Sequence, residues 1–101
     1  MIQVRDTETG EIEVIPTGHL AREDVDELGM RLEEALSRAH GAIVLNFAGL
    51  KSLSSSALGK LLHFKARCDL KGIKLSIRHC SAEMQQLLKM IKFDSLIQME
   101  A

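Results

Sequence analysis

Three consecutive hydroxyls, Ser54, Ser55 and Ser56, sit inside "KSLSSSALGKLL" (51–62), directly ahead of a stretch with helical periodicity. The first turn of a helix carries N–H groups without intrahelical partners. A serine there has two uses. As an N-cap, Ser54 or Ser55 accepts one of those N–H groups and contributes about 1 kcal/mol. As a phosphoacceptor, it would hold a phosphate where the helix dipole and the free N–H groups favour an anion. That modification would add about two negative charges to an exposed surface.

Other chemistry is sparse. Cys68, His79 and Cys80 hint at a metal, but a closed zinc site needs four ligands at recognisable spacing. Cys68 falls on the apolar side of a helical pattern, so both thiols read as buried structural groups. Gly49 and Gly59 lack the spacing of a phosphate-binding loop, and no Gly-Lys-Ser/Thr follows them. The serines lack the flanking glycines of a nucleophile elbow. His63 lies two helical turns beyond Ser55 and reads as a surface residue rather than a base. The stripe holding Met84 and Met90 reads as core. No catalytic residue, metal or cofactor is expected, and the chain is not read as an enzyme.

The elements that must position the serines follow from periodicity. Ile2 and Val4 alternate with polar neighbours, as do Ile12 and Val14, and "DTETG" (6–10) between them is turn chemistry. These segments predict a hairpin, stopped by Pro16 and Gly18. From 22 to 38, Val25, Leu28, Leu32, Ala35 and Leu36 recur at helical spacing. Acids crowd the first turns of that helix, where they complement its dipole. Gly29 inside it predicts close packing. "AIVLNF" (42–47) reads as a central strand buried on both faces. The segment 48–56 reads as a loop, followed by a helix over 55–71 with Ala57, Leu58, Leu61, Leu62, Phe64 and Cys68 on its apolar side, Lys65 and Asp69 as an i,i+4 pair and Gly72 as C-cap.

"IKLSIR" (73–78) alternates as a strand with one wetter face. Ser81 caps a third helix carrying Met84, Leu87, Leu88 and Ile91. Phe93, Leu96 and Ile97 form a last apolar anchor, read as a short helix or an edge strand. The strands 42–47 and 73–78, joined through a helix, should be parallel. The class is α/β, one domain over 1–101, with a mixed β-sheet of about four strands and three to four packed helices. Function in such sheets gathers beyond the carboxyl ends of the strands, which here is the segment 48–56.

Bulk properties bound the rest. The chain has 101 residues, 46% of them hydrophobic, which suits a single core. A net charge of −1 argues against direct nucleic-acid binding. The start is not a signal peptide and no apolar run spans a bilayer, so a reduced, cytoplasmic protein without membrane insertion is expected. Charge is unevenly divided: residues 1–38 carry ten acids and four bases, residues 39–101 four acids and nine bases. The expectation is that the two halves lie side by side and partly neutralise each other; the alternative is two faces of opposite sign for a partner.

The series "AIVLNFAGLKSLSSSALGKLL…KGIKLSIRHCSAEMQQLLKMIKFDSLIQ", with "TGHL" (17–20) upstream, resembles the STAS domain family of bacterial anti-sigma factor antagonists. Residues 43–49 resemble the family's "VVLDLSGV" strand and 53–62 its "DSSGLGxLL" loop and helix start. Residues 72–81 resemble the next strand, and 87–97 the last helix and tail. The resemblance implies a STAS-like fold and a regulatory binding protein in a partner-switching pathway of signal transduction and transcription regulation. The implied partners are an anti-sigma factor/serine kinase of the ATPase-fold type and a PP2C-type phosphatase.

By the same resemblance, Ser55 stands at the phosphoacceptor position. Lys51, Ser54, Ser55, Ser56, Ala57 and Lys60 then form the candidate partner-binding set. Ser54 replaces the family's acid and Ala57 its glycine, which frees the Ser54 hydroxyl to cap the helix. Two alternatives stay open. One is a scaffold or interaction module that works without phosphorylation. The other is a small-ligand or nucleotide sensor using the helix N-terminus with Lys51 and Lys60.

Overall fold

The computed structural model describes residues 1–100. The chain begins with a hairpin, β1 (Ile2–Asp6) and β2 (Ile12–Pro16), paired antiparallel. A short strand β3 (Gly18–Leu20) follows, then α1 (Val25–Arg38) and β4 (Ala42–Asn46). Next come β5 (Leu50–Leu53), α2 (Ser55–Leu70) and β6 (Lys74–Arg78). The chain closes with α3 (Ala82–Met90), a 3-10 turn (Phe93–Ser95) and β7 (Gln98–Met99). The main sheet has the order β1-β2-β4-β6-β7, so β4 is central, and it runs parallel to both β2 and β6.

The expected α/β class and mixed sheet are found. The main sheet holds the four strands expected from periodicity and a fifth at the edge formed by the tail, and β3 and β5 form a separate parallel pair. The two-residue β7 completes the edge through Ser76 and Ile77. The anchor at 93–97 leads from a 3-10 turn into that strand, so the tail is short helix and edge strand in succession. The first helix also starts later than periodicity predicts. Residues Arg22–Asp24 form a 3-10 turn, because the Asp24 carboxylate accepts the Ala21 N–H at 2.9 Å while the Asp24 N–H donates to the Ala21 carbonyl.

Helices and sheet share one core. Leu28, Leu32 and Leu36 of α1 and Leu61, Phe64 and Cys68 of α2 pack with Ile12, Val14, Ile43, Leu45, Leu75 and Ile77 of the sheet. The expected Lys65–Asp69 ion pair forms on α2. Gly72 follows α2 with φ +70°, a conformation that suits glycine and ends the helix.

The other sheet face carries no apolar layer. Arg5, Glu13, Val44, Ser76 and Gln98 lie side by side in one row across five strands. Val44 is only 2% exposed although it stands outside the apolar cluster. Its cover is polar. Arg5 and Asn46 both donate to the Glu13 carboxylate, and Arg78 bridges Glu11 and Glu100. β4 is therefore buried on both faces, but by hydrocarbon on one side and by an ion-paired layer on the other.

Burial works to raise the Glu13 pKa. The hydrogen bonds from Arg5 and Asn46, with the charges of Arg5 and His79, outweigh it and hold the carboxyl below the ordinary glutamate value of 4.5. A depressed folded pKa stabilises the fold fully above the ordinary value and loses that contribution as pH falls through the folded value. Glu13→Gln is therefore expected to lower stability at neutral pH and to flatten its fall below pH 4.5. Urea midpoints measured against pH check this; parallel curves for wild type and variant would refute it.

The uneven charge is partly neutralised across the halves, as expected. Glu11 pairs with Arg78 and Glu33 with Arg67.

Candidate functional site

Residues 48–56 are not a free loop. Gly18 donates to the Gly49 carbonyl and Ser54 to the Leu20 carbonyl, both at 2.8 Å, so β3 clamps β5 from end to end. Gly49 permits this approach: a Cβ there would meet the Thr17 methyl at 3.0 Å. On the same small sheet, His19 Nδ1 and the Ser52 hydroxyl lie 2.7 Å apart. The sequence offered no sign of this contact, because the two residues lie on strands whose pairing is long-range. The chain thus enters α2 on a fixed path.

Ser54 is the N-cap of α2. Its backbone is extended and its hydroxyl accepts the Ala57 N–H at 3.1 Å. Ser54→Ala is expected to cost about 1 kcal/mol. Ser56→Ala, just inside the helix, should change stability little; urea titration of both variants checks the contrast. Ser55 and Ser56 are exposed, and among the described residues neither hydroxyl makes a hydrogen bond.

The remaining candidates separate. Ala57 is 1% exposed and packs in the core, so it supports the helix start without offering surface. Lys51 is exposed on β5 and lines a cleft of about 230 Å³ with Ser52, Leu53, Ser81, Glu83 and Leu87. Lys60 turns the other way. Its amine and aliphatic stem lie over Gly29 of α1, with the nearest atoms 3.4 Å from a Cβ built there. This is the packing expected at Gly29. Lys51 and Lys60 line different depressions and do not converge on one anion beside Ser55.

α2 also presents an exposed stripe. Ser55, Gly59, Leu62 and Ala66 recur at spacings of four and three and all face solvent, with Leu62 40% exposed. Periodicity places Leu62 on the core side of α2 with Leu61 and Phe64; the structure corrects this, because Leu61 and Phe64 fill the core and turn Leu62 to solvent. Of the two cysteines, Cys68 lies in the core, where burial, with Asp69 alongside, pushes its thiol up to about 11. Burial also raises the Cys80 thiol, so both stay protonated near neutral pH.

A capped helix presenting free serines behind a central parallel strand is the arrangement expected from the STAS resemblance. The family model described as Mlab, STAS domain matches residues 5–98, and the chain belongs to that family. Comparison with curated proteins finds no match. Among solved structures, the phosphorylated Bacillus cell fate determinant SpoIIAA is 18% identical, with a TM-score of 0.75 over 100% of this chain and 91% of that one. An anti-sigma factor antagonist from Mycobacterium paratuberculosis is 12% identical, with a TM-score of 0.82 over 99% and 84%. A sulfate transporter family protein from Wolinella succinogenes is 14% identical, with a TM-score of 0.80 over 95% and 80%. At these identities the likeness establishes the fold. Among the described residues, no helix is long and apolar enough to cross a membrane.

Proposed function

We propose that this chain is a non-enzymatic regulatory protein of the anti-sigma factor antagonist type. It binds a serine kinase/anti-sigma factor in the cytoplasm through the start of α2, and phosphorylation of Ser55 releases it. One observation carries this reading: Ser54 already holds the cap, which leaves the Ser55 hydroxyl exposed and uncommitted at the helix N-terminus. The stripe of Gly59, Leu62 and Ala66 continues from Ser55 as a surface for the partner. The chemistry belongs to the partners. The kinase transfers the terminal phosphoryl group of ATP to Ser55 Oγ, the hydroxyl loses its proton, and ADP leaves. A PP2C-type phosphatase hydrolyses the ester and restores the hydroxyl.

The test is intact-mass measurement after incubation with ATP and the cognate kinase. Wild type and Ser56→Ala are expected to gain one phosphoryl group and Ser55→Ala none. An unmodified wild type beside a demonstrably active kinase removes the switch. A scaffold working without phosphorylation is then the surviving reading. It is favoured by one feature, the uncharged Ser54 where the family keeps an acid.

A further inference from the structure

A groove of about 730 Å³ runs between α1 and α2, with Leu32 and Phe64 among its lining residues. One wall is acidic, formed by Asp26 and Glu33 of α1; the other is basic, formed by Lys60 and Arg67 of α2. The two helices run in the same direction: the Lys60 side chain reaches Gly29, and farther along both helices Arg67 is ion-paired to Glu33. Among the described residues Asp26 and Lys60 have no ion-pair partner. Met30, on the acidic rim, is 73% exposed.

We infer that this groove is the contact through which two copies of the chain pair, about a twofold axis running along it. The charges select that occupant. A uniformly acidic or basic partner would be repelled by one wall. A second copy turned about the groove axis lays its basic α2 over the first copy's acidic α1, and the reverse. Because Glu33 and Arg67 already lie within ion-pair reach across the groove, this rotation, which keeps each residue's height along the groove, brings Arg67 of the second copy toward Glu33. Lys60 of the second copy comes opposite Asp26. Met30 meets His63 of the second copy, placing a thioether against a ring in the middle of the contact. A twofold axis across the helices would instead set acid against acid. The groove uses the flank of α2 beside the Ser55 stripe, so this pairing is a separate claim from partner binding there.

Sedimentation equilibrium on the full chain, from micromolar to near-millimolar concentration, tests it. Wild type is expected to pass from monomer to dimer, and added salt to weaken the pairing. Glu33→Lys and Arg67→Glu should each raise the dissociation constant about tenfold or more. Both positions lie on the surface, and thermal melts confirm that each variant is folded. Mixed together, the two variants should pair again, because Lys at 33 then faces Glu at 67 and the native Glu33 faces the native Arg67. A wild type that stays monomeric throughout overturns the inference. So does a mixture that associates no better than either variant alone.

Discussion

Replacing Phe93 with alanine is expected to cost about 3–5 kcal/mol, the range for deleting a buried aromatic side chain. Phe93 is 1% exposed and heads the fully buried side chains by size. It sits in the 3-10 turn between α3 and β7, where Lys92 takes φ +61° to direct the chain inward. Its carbonyl also accepts the N–H groups of Leu96 and Ile97, so the ring and the turn are fixed together. Lost packing would leave Ile97 and β7 poorly held against β6. For a chain of this length the loss corresponds to a fall of about 15–25 °C in melting temperature. Leu96→Ala, three residues on and 51% exposed, should stay within about 0.5 kcal/mol. With no Trp or Tyr in the sequence, circular dichroism is the suitable probe. A loss below about 1 kcal/mol at Phe93 would show that the C-terminal segment is not part of the folded unit.

The second large effect concerns Ser55. A phosphate there, or its partial mimic in Ser55→Asp, is expected to weaken the proposed partner complex about 100-fold, which is about 2.7 kcal/mol. The cause is desolvation: an interface covering Gly59, Leu62 and Ala66 would have to bury about two added charges at its edge. The fold itself should respond in the opposite sense. An anion at the N-terminus of α2 meets the positive end of the helix dipole and gains about 0.3–1 kcal/mol. Calorimetric affinity and melting temperature therefore separate a surface switch from damage to the protein. Weaker binding with an unchanged or higher melting temperature supports the switch. Unchanged binding leaves the scaffold reading.

Much of the framework was legible because it rests on local pattern. The alternation in β1, β2 and β6, the unbroken apolar run of β4 and the core stripes of α1 and α2 each lie within a few residues of sequence. The stripe expected on α3 holds only in part: Met84 and Leu88 are buried, while Leu87, Met90 and Ile91 face solvent, because so short a helix touches the core along one narrow line. The parallel pairing of β4 with β6 follows from the helix between them. A serine cap was legible for the same reason, since a cap and the N–H it accepts lie three residues apart, but local pattern left Ser54 and Ser55 both open and the structure gives the cap to Ser54.

What was missed lies in long-range pairing. β3 and β5 have three and four residues, too few to show a period, and they exist because they hydrogen-bond to each other across α1 and β4. β7 is a strand only because Phe93 delivers it to the edge of β6. The same distinction runs through the site. The sequence by itself determined the elements, their order, and a helix that starts at three serines. Only the tertiary structure decided that the segment before that helix is clamped, that Leu62 faces outward, and that Lys60 lies over Gly29 while Lys51 lines another cleft. Periodicity is set by neighbours along the chain. Which side of a helix meets which neighbour is set by the core it must bury and by charges that come together only once the chain has folded.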